Sequence, residues 1–66
     1  MQGVVKFFNI KKGYGFIDRE DRQEDIFFHV TDVQESRYLE QNEKVEFEIG
    51  EGKNGKKKAV KIRRVE

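Results

Sequence analysis

A chain of 66 residues with no cysteine, no proline, 41% charged side chains and a net charge of +1 has room for one small core and no thiols to reinforce it. Disulfide scaffolds and zinc–thiolate sites are thereby excluded. Apolar runs such as Val4-Val5 and Phe7-Phe8 are too short for a signal peptide or a membrane span, so the expectation is one domain over residues 1–66 that is cytoplasmic and makes no membrane contact.

Taken in chain order, the residues read as strands and turns with almost no helix. Gln2 to Asn9 is rich in Val and Phe, Tyr14 to Arg19 and Asp25 to Val30 alternate, Val45 to Ile49 alternates strictly, and Lys58 to Val65 alternates again. Turn signals separate them at Asn9–Gly13, Glu20–Glu24 and Gly50–Gly55, the last with the hairpin dipeptide Asn54-Gly55. Thr31 to Asn42 is less regular, and Thr31-Asp32-Val33-Gln34 suits one helical turn. Five short strands with one long connection predict an all-β fold, a small five-stranded antiparallel barrel whose closure removes the sheet edges. The predicted inward set is Val5, Ile17, Ile26, Phe28, Val30, Val33, Leu39, Val45, Phe47, Ile49, Val60 and Ile62, with Ala59, Lys61 and Arg63 outward.

Two segments do not fit a purely structural reading. Lys12-Gly13-Tyr14-Gly15-Phe16-Ile17 puts Tyr14 and Phe16 on one strand face, and Asp25-Ile26-Phe27-Phe28-His29 puts Phe27 and His29 on another. The core is already filled, so these rows must face water, where flat rings serve as platforms for unpaired bases. Charge is also distributed unevenly: residues 1–17 carry +3, residues 18–52 carry −8 and residues 53–66 carry +6. If the two basic ends lie side by side they form a positive face despite the near-neutral total.

Competing motifs fail on physical grounds. Gly50 to Gly55 spells G-x-G-x-x-G, but phosphate loops of that kind work at a helix N-terminus, and the residues after Gly55 alternate as a strand. His29 is the sole histidine, with no serine or cysteine nucleophile in a recognisable arrangement, although Asp25, four residues away on the same strand face, is placed to perturb it. One histidine and no thiolate make neither a metal site nor a catalytic one; the expectation is no enzyme, no cofactor and no small-molecule substrate.

Val5-Lys6-Phe7-Phe8-Asn9, Lys12 to Ile17 and Asp25 to His29, in this order and spacing, resemble the bacterial-type cold-shock domain over nearly the whole chain. The last two resemble that family's ribonucleoprotein motifs. The resemblance implies an OB-fold barrel that binds single-stranded RNA and DNA on its aromatic face and acts as an RNA chaperone; nothing in the sequence demands more than a monomer. Carried over by residue, the surface comprises Lys6, Phe7, Tyr14, Phe16, Phe27 and His29, supported by Phe8, Asn9 and Lys12, with Gly13 and Gly15 letting the backbone turn and a nucleotide approach. Four departures stand out: Phe7 replaces the usual tryptophan, Val30 an aromatic and Phe28 an aliphatic residue, and the loop Gln34–Glu40 is about two residues shorter, so Tyr38 is a candidate substitute for the loop's stacking ring. Lys6 and Phe7 cannot both face outward from a regular strand; a bulge would allow it. Lys56, Lys57, Lys58, Lys61, Arg63 and Arg64 either widen the track for a nucleic-acid backbone or balance the acidic strand, where Glu46 and Glu48 suit pairing with Lys61 or Arg63. The alternatives are a ribosome- or initiation-factor-like OB domain for structured RNA, and a protein-interaction barrel.

Overall fold

The computed structural model describes residues 1–34, 39–52 and 55–65. Five strands follow one another: β1 (Gln2–Asn9), β2 (Tyr14–Arg19), β3 (Ile26–His29), β4 (Lys44–Glu51) and β5 (Lys57–Arg64), with a 3-10 turn at Val30–Asp32 after β3. They close into a barrel in the order β1-β2-β3-β5-β4. The expected all-β barrel is thus present, with one seam that differs: β3 and β5 run parallel, paired at Phe27 and Lys58, because the long connection carries the chain across before β4 begins. The other strand pairs, β1 with β2 and β4, β2 with β3, and β4 with β5, are antiparallel. The short helical turn begins one residue before the expected Thr31 and is capped by His29, whose ring accepts a hydrogen bond from the Thr31 amide.

The core consists of Val5, Ile17, Ile26, Phe28, Leu39, Val45, Phe47, Ala59 and Ile62. Eight of these belong to the predicted inward set; Ala59 was expected outside. The error has a geometric origin. Between Glu46↔Arg63 and Glu48↔Val60 three steps of β5 oppose two of β4, and Lys61 takes the left-handed conformation at φ 51. That bulge inverts the alternation, so Ala59 and Ile62 both point inward while Val60 is only half-buried. Ile49 is 37% exposed although it faces the same way as Val45 and Phe47. Pairing with β1 stops at Glu46, leaving only β5 beside this end of β4. Val30 and Val33 are half-buried, Val33 packing on the core beside its bridge to Ile62.

The basic ends do not lie side by side. In the closed order β1 neighbours β2 and β4, and β5 neighbours β3 and β4. The acidic strand β4 therefore separates them on one side, and the motif-bearing strands β2 and β3 on the other. Arg63 pairs with Glu46 at 2.7 Å and Arg64 with Glu43 at 2.5 Å, while Lys58 lies 3.3 Å from Asp32. Three of the six C-terminal bases thus face acids.

Candidate nucleic-acid interface

The antiparallel register sets Tyr14 opposite His29 and Phe16 opposite Phe27, which merges the two expected aromatic rows into one outward face. Phe7 joins it through a bulge in β1. Val5 pairs with Ile17 but Phe7 pairs with Phe16, so Lys6 is the extra residue, and Lys6 and Phe7 both face solvent. The conflict of parity in the first strand is resolved by that single inserted position.

The four rings touch. Phe7 is 5.9 Å from Tyr14 and 6.5 Å from Phe16, and Tyr14 and Phe16 each lie 5.9 Å from Phe27. Tyr14 and Phe16 meet edge-on at 6.2 Å. These are ordinary aromatic pair separations, yet Phe7, Phe16 and Phe27 remain 42%, 36% and 38% exposed. The cluster is ordered by its own contacts and keeps ring surface open to solvent. His29 lies half-buried beside Tyr14; its Nδ1 accepts from the Thr31 amide at 3.2 Å, so a neutral ring carries its proton on Nε2. The same Nδ1 lies 3.1 Å from Thr31 Oγ1, so the ring forms a local cap on the 3-10 turn.

Other expected residues have different roles. Phe8 turns inward, its ring stacked on buried Phe28 at 5.9 Å and 4°, where it backs the platform. Asn9 Oδ1 accepts from the Lys12 amide at 3.0 Å, so it shapes the β1–β2 turn; the Lys12 side chain is exposed there. Tyr38, the candidate loop ring, and Asn54 of the hairpin dipeptide lie outside the described residues. Gly13 is a turn residue at φ 72. Gly15 does not make room for a nucleotide: a Cβ on it would lie 2.2 Å from the Phe7 carbonyl oxygen and 2.7 Å from Phe28 Cε1, on the inner side of the sheet. The larger Phe28 occupies the space that Gly15 leaves.

Lys6 does not stand free. Its Nζ donates to Asp25 Oδ2 at 2.9 Å, and that hydrogen bond, with the charge of Asp25, raises its pKa above the ordinary 10.5. Asp25 thus serves Lys6, not His29. Lys58 is a residue that strand alternation did not associate with the rings. It sits across the parallel seam from Phe27, and its ammonium is 3.3 Å from Asp32 Oδ2, too poorly aligned to hydrogen bond. Sequence carried no signal for that neighbourhood, because only the chain crossing brings β5 beside β3. Among the described residues no group of three His, Cys, Asp or Glu is placed to hold a metal, and no helix is long and apolar enough to cross a membrane.

Residues 1–65 match the family model of the 'Cold-shock' DNA-binding domain. The chain is 54% identical over 56 residues to "Probable cold shock protein A" of Mycolicibacterium smegmatis, covering 82% of this chain and 84% of that protein. It is 49% identical over 57 residues to "Cold shock-like protein CspG" of Escherichia coli, covering 83% and 81%. Among solved structures, "drosophila Unr CSD456" superposes with a TM-score of 0.81 at 30% identity over 98% of this chain, which spans 26% of that one.

Proposed function

Because the chain belongs to the cold-shock domain family and is a nucleic-acid-binding protein, we propose that it binds single-stranded RNA and DNA by stacking bases on Phe7, Tyr14, Phe16, Phe27 and His29. Lys6 and Lys12 contact the backbone or base edges, Phe8 and Asn9 support the surface from beneath and beside it, and Tyr38 supplies a further ring. The protein works as a monomeric, non-enzymatic RNA chaperone formed by residues 1–66, keeping strands unpaired by occupying their bases. Low sequence specificity follows, since every base has a flat face to stack.

The observation that carries this reading is the outward cluster of Phe7, Tyr14, Phe16 and Phe27, whose rings contact one another while three remain more than a third exposed. A small protein gains nothing in stability by leaving such area in water, at about 25 cal/mol per Å². Base stacking covers it on binding. The modest number of nearby lysines implies that rings supply more of the affinity than phosphate contacts.

Fluorescence anisotropy with labelled oligo-U and oligo-dT against a duplex control tests the reading. Single strands are expected to bind and duplex to bind far more weakly. Phe27→Ala is expected to weaken single-strand binding about five- to 150-fold, as loss of a stacking ring costs about 1–3 kcal/mol. A log–log salt slope of about −2 to −3 corresponds to about three or four phosphate contacts. Equal affinity for duplex and single strand, or an unaltered Phe27→Ala variant, would refute the platform.

A further inference from the structure

A lone exposed aliphatic side chain is ordinary on a protein surface; Ile10 is set apart by its position and by how it is held. It is 66% exposed, against 36–42% for the other exposed large hydrophobic residues among those described. It occupies the turn between β1 and β2, which is closed twice on Asn9: the Gly13 amide donates to the Asn9 carbonyl at 2.8 Å, and the Lys12 amide to Asn9 Oδ1 at 3.0 Å. The Gly13 carbonyl accepts from the Val30 amide at 2.8 Å, tying the turn to the end of β3.

The turn rises from the Asn9↔Tyr14 pair, where the ring cluster ends, since Tyr14 is 5.9 Å from both Phe7 and Phe27. Beyond Ile10 come exposed Lys11 and Lys12, in a segment, residues 1–17, that holds no acid. The turn that adjoins the ring cluster thus carries one exposed apolar side chain followed in sequence by two exposed positive charges.

We propose that Ile10 is a strand-separating wedge: it packs against the terminal base pair at a junction between single and double strand, while Lys12 stays with the gripped strand and Lys11 holds the phosphates of the displaced one. The proposal rests on the stacking platform described above, which grips the strand that has already opened. Ile10 suits this use because a β-branched side chain has little χ1 freedom to lose, and its turn is hydrogen-bonded before any ligand arrives. Apolar side chains inserted at a base step unstack it, and the step at a junction is already open on one side. Platform and wedge thus divide the work: the rings trap unpaired bases, and Ile10 makes the next pair open.

The test separates the two. An RNA stem with a single-stranded oligo-U tail carries a fluorophore and quencher at the junction, and free oligo-U is titrated alongside. Ile10→Ser is expected to keep its affinity for free oligo-U within about two-fold while opening the stem about five- to tenfold more slowly, and Ile10→Leu to retain opening. A serine variant that opens the stem as fast as the parent overturns the wedge and leaves the platform standing. A serine variant that loses oligo-U affinity and opening in equal proportion also overturns it, making Ile10 one more stacking contact. Failure of the parent protein to bind oligo-U would refute the platform, and the wedge with it.

Discussion

At the scale of single residues, most of the interface depends on which side of a strand a side chain leaves from. Gly15 illustrates the point. It sits between Tyr14 and Phe16 in the motif, yet its absent Cβ points the other way, toward the Phe7 carbonyl and the buried Phe28 ring. Glycine is required there by the core, because any side chain would enter space that Phe28 and the β1 backbone already fill. Gly15→Ala should therefore destabilise the fold by about 3 kcal/mol or more through overpacking, visible as a lower urea midpoint. An alanine variant as stable as the parent would mean that Phe28 can move aside. The outward rings are the opposite case: they contact one another, and a third or more of Phe7, Phe16 and Phe27 stays in water.

At the scale of elements, two inserted residues determine the surface. The extra residue in β1 lets Lys6 and Phe7 both face outward, adding a ring to the Tyr14–Phe16–Phe27 group. The extra residue in β5 turns Ala59 and Ile62 inward together. Lys61 adopts φ 51 at that second bulge, a left-handed conformation that costs an L-residue about 1–2 kcal/mol. Lys61→Gly removes that cost but adds freedom to the unfolded chain, so the expected change is about zero to 1 kcal/mol of added stability. Lys61→Val should cost about 1–2 kcal/mol, since a β-branched side chain tolerates this conformation least. Chemical denaturation of the two variants distinguishes them, and the reverse order would contradict the bulge.

At the scale of the whole molecule, closing the barrel converts a charge pattern along the chain into a charge pattern around it. Acidic β4 lies between β1 and β5, and Glu46 and Glu43 receive Arg63 and Arg64. The hydrogen bond from Arg63 holds the Glu46 pKa below its ordinary 4.5, and that from Arg19 holds Asp21 below its ordinary 3.8. A carboxylate with a lowered folded pKa contributes stability above its unfolded value and loses it as pH falls through the folded one. Lys6, raised by Asp25, behaves in the opposite sense: its contribution is complete below the ordinary 10.5 and fades as pH rises through the higher folded value. Thermal midpoints should accordingly be flat near neutrality and decline below the ordinary carboxylate range. Glu46→Gln should flatten part of that acid limb, with high salt reducing the difference because the pair is exposed. An acid limb unchanged in Glu46→Gln would assign the loss to other groups.

The sequence by itself determined the strands, the closed all-β barrel, most of the core and the aromatic residues that look outward. These follow from alternation and turn chemistry, which are local: Tyr14 and Phe16 share a face because a strand has a period of two. The tertiary structure alone decided which outward residues meet. Phe27 comes beside Phe16 through register, Lys58 beside Phe27 through a parallel seam, and Phe7 onto the face through a bulge. Alternation puts Ala59 outside and cannot bring Phe7 out beside Lys6 for the same reason: one inserted residue reverses every side chain after it. Gly15 stands inside the aromatic motif yet belongs to the core, because register sets it against Phe28, a pairing that local sequence does not contain. Pairing register and chain crossing are properties of the whole assembly of strands, and no window of neighbouring residues contains them.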